Sequence, residues 1–316
     1  MEDIRKAAAN PAAALAYPFD AGELLRTRRK LKKALLADGR ERIEKKIAVL
    51  GGSTTNDVCD MLELFLLAEG IRPVFYQSEY AKYWEDAMFG NPTLEAFAPD
   101  VVYVHTTFRN LAPYLPHPDD SAEAVEGRLV DAERHFSEMW ERLSTAFACP
   151  IVQNNFEYPF FRLYGNRDAT DIHGQTNFVN RLNARFQLAA AQKPHLFIHD
   201  LSYTAACYGL DRWADQSVWY MYKYAMEAIP SLAHSVASII KSIFGRNKKV
   251  LALDMDNTLW GGVVGDDGPE GLDLGEETPN GQAFLEFQRY VKRQKDIGVL
   301  LTVCSKNDPE NALAGL

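Results

Sequence analysis

The chain has 316 residues, with 34 Lys and Arg against 43 Asp and Glu, a net charge of −9. Its 47% hydrophobic and 24% charged residues exclude a disordered, collagenous or disulfide-scaffold chain, and supply enough apolar material for about two cores. An acidic balance without a basic face argues against nucleic acid as a partner.

Residues 1–45 read as a helical N-terminal extension, with a helix expected near 22–39. Within it, the run RTRRKLKKALL (26–36) alternates bases with leucines, the pattern of a solvated face or of a surface for an acidic partner. The opening MEDIRKAAANPAAALAYPF mixes acids and bases and lacks the unbroken apolar core of a signal peptide. No stretch reaches the ~18 apolar residues of a spanning helix, so no membrane is expected and the expected compartment is cytoplasmic. Cys59, Cys149, Cys207 and Cys304 stand far apart, without a C-x-x-C pair, which argues against a zinc site or a disulfide framework.

From 46 to 245, β-branched runs at 46–52, 72–78, 100–106, 150–154 and 195–200 alternate with helical patterns near 57–69, 121–146, 177–193 and 227–244. The runs are nearly continuous in apolar character, as in strands covered on both faces, so an α/β domain with a parallel sheet is expected. GRNKK (245–249) ends a helix on glycine and precedes a new apolar run, so it marks a boundary. The piece 246–316 holds strand patterns at 249–256 and 298–305 around a helix at 280–296. Two βα units cannot cover their own faces, so this piece is expected to be the start of a larger domain or to borrow its missing half.

In the first domain, KIAVLGGSTTNDV (46–58) reads as strand, glycine turn and helix, with Ser53 where a nucleophile or an anion-binding hydroxyl would stand. A helix-capping role for Ser53 is the plainer alternative. HTTFRN (105–110) and QNNFEYP (153–159) close two further strands; Asn110 reaches the same rim, and Asn154 or Asn155 could donate to an oxyanion. The turn resembles the first block of SGNH hydrolases. That resemblance implies an Asp-x-x-His base before the last helix, yet none of the seven histidines has an aspartate three residues ahead of it. The expectation is a binding cleft rather than an esterase, with His105 and His173 as the histidines that could restore catalysis. WADQSVWYMYKY (213–224) reads as a packed aromatic edge, and 162–177 as a surface loop or a lid over the cleft.

In the second piece, LALDMDNTLWGGVVGDDG places Asp254 and Asp256 at a strand end. Two neighbouring carboxylates repel unless a cation or a shared proton relieves them, and Mg²⁺ suits one or two carboxylates plus phosphate. D-M-D-N-T resembles motif I of the haloacid dehalogenase (HAD) superfamily. The resemblance implies Asp254 as a nucleophile and Mg²⁺ ligand, and Asp256 as general acid/base with its backbone carbonyl on the metal. By the same resemblance Asn257 and Thr258 would shape the turn, and Ser305, closing GVLLTVCS, would bind a phosphate oxygen. LWGGVVGDDGPEGL with VCSKNDP is similar to the FkbH-like, subfamily IIIC proteins, which carry an SGNH-like domain ahead of the HAD domain. For them the implied donor is a phosphorylated acyl compound, whose glyceryl group goes to the thiol of an acyl carrier protein with loss of phosphate. The superfamily's Lys and acidic third and fourth motifs would lie past the second strand, so this chain alone is expected to be weakly active or inactive. The alternatives are a non-catalytic module binding substrate or carrier protein, and an esterase using Ser53.

Overall fold

Five of the apolar runs form one parallel sheet: β1 (Ile43–Gly51), β2 (Ile71–Gln77), β3 (Val101–His105), β4 (Ile151–Asn154) and β5 (Leu196–His199), in the order β2-β1-β3-β4-β5. The structure is a computed structural model describing residues 11–315 apart from 216, 219, 220, 222 and 223. Its compact units divide between Arg246 and Asn247. β1 begins earlier than its apolar run because Ile43–Lys46 pair with Ile71–Val74, and the Lys46 N–H donates to Asp100 Oδ2 at 2.8 Å. The strand order reverses between β1 and β3, the place where doubly wound sheets bind ligands at their carboxyl ends.

Alternate strand residues feed two cores. Ile47, Val49, Val101 and Tyr103 pack with the helices Ala21–Leu36, Asn56–Ala68 and Ile229–Ile243. Ala48, Leu50, Val102 and Val104 pack with Ala122–Phe147 and Gln175–Gln192. In the second core, Phe186 meets Phe136 and Trp140 edge-on at centroid separations of 5.2 and 4.8 Å, a favoured aromatic geometry. The helix expected as an extension is part of the first core, burying Leu24, Leu31 and Leu35. Two of its basic residues are held by acids of the next helix: Arg28 meets Asp57 at 2.7 Å and Lys32 meets Glu63 at 2.6 Å. Short helices, among them Tyr83–Met88, Pro92–Phe97 and Leu201–Tyr208, add to the expected set.

The second unit pairs β6 (Val250–Leu253) with β7 (Leu300–Val303) in parallel, with Leu253 opposite Val303, and the helix Pro279–Asp296 is the crossover. Its core is small: Leu253, Met255, Leu259, Trp260, Val264 and Val291. The fold class is therefore α/β, a five-stranded parallel sheet with helices on both faces and a second, two-stranded parallel sheet. Among the described residues, no helix is long and apolar enough to cross a membrane.

Candidate functional site

The most reactive groups of the second unit lie just past β6. Asp254 is exposed, and its Oδ1 accepts the Met255 N–H at 2.8 Å. Met255 is fully buried and anchors the turn, and its carbonyl accepts the N–H groups of Thr258 and Leu259 at 3.1 and 2.8 Å. Asn257 takes a left-handed backbone (φ 54°), a region asparagine tolerates better than most residues, and its Oδ1 accepts the Gly262 N–H at 3.1 Å. Thr258 is half-buried within this turn.

Asp256 is the best-held group there. Its Oδ1 accepts the Trp260 indole N–H at 3.2 Å and the Val264 N–H at 3.1 Å, and its Oδ2 accepts the Asn307 amide at 2.8 Å. Partial desolvation pushes its pKa up, but the Val264, Asn307 and Trp260 donors outweigh it and hold the carboxyl below the usual range. The Cys304 N–H donates to the Leu253 carbonyl at 2.8 Å, which brings the segment after β7 to the same end of the sheet. Ser305 sits on that segment, half-buried, its hydroxyl accepting the Asn307 N–H at 3.2 Å. Asn307 thus ties the Ser305 loop to Asp256, a role the sequence pattern did not single out.

Carboxylate oxygens are the hard donors that Mg²⁺ takes together with substrate phosphate and water. Among the described residues no cluster of three or more His, Cys, Asp or Glu side chains gathers to hold a metal. Asp254, with its exposed carboxylate, and its neighbour Asp256 are the residues that would hold such an ion.

In the first unit, β1 ends on Gly51 at the switch point, and Gly52 and Ser53 follow. The Gly52 N–H donates to the His105 carbonyl at 2.8 Å, and the Asn110 amide donates to the Gly52 carbonyl at 3.1 Å. A Cβ on Gly52 would come within 2.4 Å of Asn110 Nδ2, so only glycine lets that side chain lie on the turn. Ser53 is 2% exposed and its hydroxyl has no hydrogen-bond partner among the described residues. It does not cap the helix Asn56–Ala68, whose N-cap is Thr55; the Thr55 hydroxyl donates to Gln77 Oε1 at 3.0 Å.

Asn154 is fully buried and does not face an open oxyanion site as expected. Its Oδ1 accepts from the Tyr103 hydroxyl at 3.1 Å and pairs with His199 Nδ1 at 2.7 Å, and its Nδ2 donates to the Thr106 carbonyl at 3.0 Å. Asn155 is likewise committed, donating to Asp200 Oδ1 at 2.8 Å and accepting the Ser202 N–H at 3.0 Å. The cause is burial: polar groups this deep must be paired within the protein.

His105 lies in the same network, Nδ1 against the Tyr103 hydroxyl at 2.8 Å and Nε2 against the Tyr224 hydroxyl at 3.1 Å. Desolvation first, and the neighbouring His199 second, push its pKa down to about 3. His199, missed from sequence because it ends an apolar strand, is pushed down by desolvation to about 4, and its Nε2 has no partner among the described residues. Both rings are therefore neutral near pH 7. His173 bonds Asp171 Oδ1 at 3.0 Å and the Asp120 carbonyl at 2.9 Å, between surface segments. Glu157, also missed, is 3% exposed and accepts the Phe108 N–H at 3.0 Å; burial pushes its pKa up to about 7, against that backbone bond.

The segment 162–177 is anchored as a loop. Buried Asp168 accepts the Thr176 N–H at 2.7 Å, and Gly174 packs so closely that a Cβ would lie 2.0 Å from the Asp168 carbonyl oxygen. Of the aromatic edge at 213–224, Trp213 and Tyr224 are buried, and the Tyr224 hydroxyl meets His105 rather than water. Trp219, Tyr220 and Tyr222 lie outside the described residues.

No family model matches the chain, and no curated protein matches it. Among solved structures it resembles the N-terminal part of the Bacteroides fragilis protein BF1531, which contains a phosphatase domain and is complexed with Mg. The identity is 25% and the TM-score 0.79, over 94% of this chain and 76% of that one. Fainter likenesses are to the C-terminal catalytic domain of Streptococcus pneumoniae peptidoglycan O-acetyltransferase A (14% identity, TM-score 0.38, 66% of this chain and 97% of that one) and to BT4096, a gut microbial diltiazem-metabolizing enzyme (12%, 0.41, 67% and 50%). Those two bear on neither mechanism nor substrate.

Proposed function

We propose that the second unit is a Mg²⁺-dependent phosphatase or phosphotransferase of the HAD type with Asp254 as its phosphoryl acceptor. The observation that carries the reading is the turn after β6. There an exposed carboxylate stands two residues from one fixed by three N–H donors, in a chain that resembles a phosphatase-containing structure bound to Mg. An Asp254 carboxylate oxygen attacks phosphorus; the new O–P bond forms as the bond to the leaving oxygen breaks, giving an aspartyl phosphate. Asp256 handles the proton of the leaving or attacking oxygen, oriented by Trp260, Val264 and Asn307. The Ser305 hydroxyl donates to a phosphoryl oxygen. Asp254 and Asp256 would hold Mg²⁺, which when bound would neutralise charge on the phosphoryl oxygens.

The resemblance to FkbH-like proteins supports a phosphorylated acyl substrate and an acyl carrier protein as partner: the carrier thiolate attacks the acyl carbonyl, the C–S bond forms as the acyl C–O bond to phosphate breaks, and phosphate leaves, a step separate from phosphoryl capture by Asp254. For the first unit a binding role is favoured over ester hydrolysis. Both nitrogens of His105 are engaged by tyrosine hydroxyls, and Ser53 has no hydrogen-bonded base among the described residues.

Incubation of the whole chain with acetyl phosphate and Mg²⁺, followed by peptide mass mapping, tests the main reading. The expected result is a hydroxylamine-labile phosphoryl group on Asp254 that is absent from Asp254→Asn. Labelling that survives the substitution overturns it.

A further inference from the structure

Two long connections leave neighbouring strands at the carboxyl end of the first sheet. One, 106–121, runs from β3 to the helix Ala122–Phe147; the other, 155–174, runs from β4 to the helix Gln175–Gln192. His173 spans them. Its Nδ1 lies 3.0 Å from Asp171 Oδ1 in its own connection, and its Nε2 lies 2.9 Å from the Asp120 carbonyl oxygen in the other. A carboxylate and a backbone carbonyl can only accept, and a neutral imidazole carries one donor and one acceptor. Both bonds therefore stand together only when both ring nitrogens hold protons and the ring is an imidazolium.

We propose that His173 is a pH-operated latch: protonated, it ties the connection after β4 to the connection after β3, and deprotonated, it gives up one of its two bonds and releases them. Each acceptor is held in place. Asp171 Oδ2 accepts from Arg167 at 2.7 Å, and its Oδ1 also accepts the His173 backbone N–H at 3.1 Å. The Asp120 carboxylate accepts from Arg128 Nε at 2.6 Å and from the His117 N–H at 2.7 Å, which fixes the residue whose carbonyl faces the ring. The charged groups around His173 are thus Asp171 with Arg167 on its own side, and Asp120 with Arg128 on the other. When the ring loses a proton, a nitrogen lone pair is left facing an oxygen, and that contact turns from attractive to repulsive. The side chain is 21% exposed, so water reaches the ring to take the proton away. The bond to the Asp120 carbonyl, and then the bond to the Asp171 carboxylate, hold the pKa above its ordinary 6.5. The latch is accordingly complete below about pH 6.5 and is lost as pH rises through the raised folded value.

Two measurements on the whole chain test the latch. Long-range ¹H–¹⁵N spectra of ¹⁵N-histidine-labelled protein read the ring directly, and His173 is expected to carry both protons at about pH 6. Hydrogen exchange read by mass spectrometry, with labelling times scaled to the intrinsic rate at each pH, follows the peptides that contain His117, Asp120 and His173. Their protection is expected to fall roughly threefold to tenfold between about pH 6 and pH 9, while β3 stays level. His173→Gln keeps a neutral donor that does not titrate, so its two connections should exchange at the same corrected rate at both pH values. A singly protonated His173 at about pH 6 overturns the proposal. So does protection that stays level while the ring loses its proton, or an equal fall in His173→Gln.

Discussion

The two units meet the same problem, polar groups gathered at the carboxyl end of a parallel sheet, with opposite solutions. In the first, His105, Asn154, His199, Tyr103 and Tyr224 are buried and bonded to one another, and desolvation keeps both rings uncharged. In the second, Asp254 is exposed, and Asp256 is fixed by backbone, amide and indole donors. A dry rim bonded largely within itself favours rigidity, whereas an open rim with an exposed carboxylate leaves a charge free to meet a ligand.

The contrast breaks most sharply if the reactivity lies on the wrong side. Asp254→Asn should reduce acetyl phosphate labelling at least about a hundredfold, while Ser53→Ala leaves it unchanged, as mass mapping will show. Next in size are the cores. Phe136→Ala removes a ring packed against Phe156 and Phe186 and should cost about 3–5 kcal/mol. Val291→Ala in the small second core should cost clearly less, and urea denaturation followed by circular dichroism compares them.

A third test uses pH. Glu157, lifted to about 7 from 4.5, binds a proton more tightly folded than unfolded, so its effect on stability is absent below pH 4.5 and grows unfavourable as pH rises through 7. Glu157→Gln keeps an acceptor for the Phe108 N–H and should stabilise the chain by roughly 3 kcal/mol at pH 8, with little change at pH 4.5. His105 and His199 act the other way, since the unfolded chain binds their protons first below about pH 6.5. In the glutamine variant stability should therefore climb more steeply between pH 4 and 7. A flat denaturation midpoint across that range would show these groups to be hydrated. The smallest effect is expected at Asn307→Ala, which removes a charge-assisted bond worth about 1.5–3 kcal/mol before water replaces it. Its signature is a displaced Asp256 signal in NMR spectra of selectively labelled protein.

Much of this was legible in the sequence because buried parallel strands are written as unbroken apolar runs, and all seven appear where those runs lie. The start of β1 was hidden by Glu44, Lys45 and Lys46, whose pairing depends on β2 and on Asp100. Helices of six to eight residues such as Tyr83–Met88 and Leu201–Tyr208 are too short to show a period. The aspartates were readable because their spacing is local. His199 and Glu157 were not, because a histidine or glutamate in an apolar run gains its meaning from neighbours on other strands. Asn154 misled for the same reason: its rim position was right, and its depth was invisible.

The contact between Gly52 and Asn110 links two positions fifty-eight residues apart as one shape. Any methyl group at 52 displaces the amide, and any shortening at 110 leaves a hollow that such a methyl could occupy. Gly52→Ala and Asn110→Gly should each be harmful alone and partly rescue each other together. Change at either position is therefore conditional on the other, a constraint that a residue-by-residue survey of tolerance would miss.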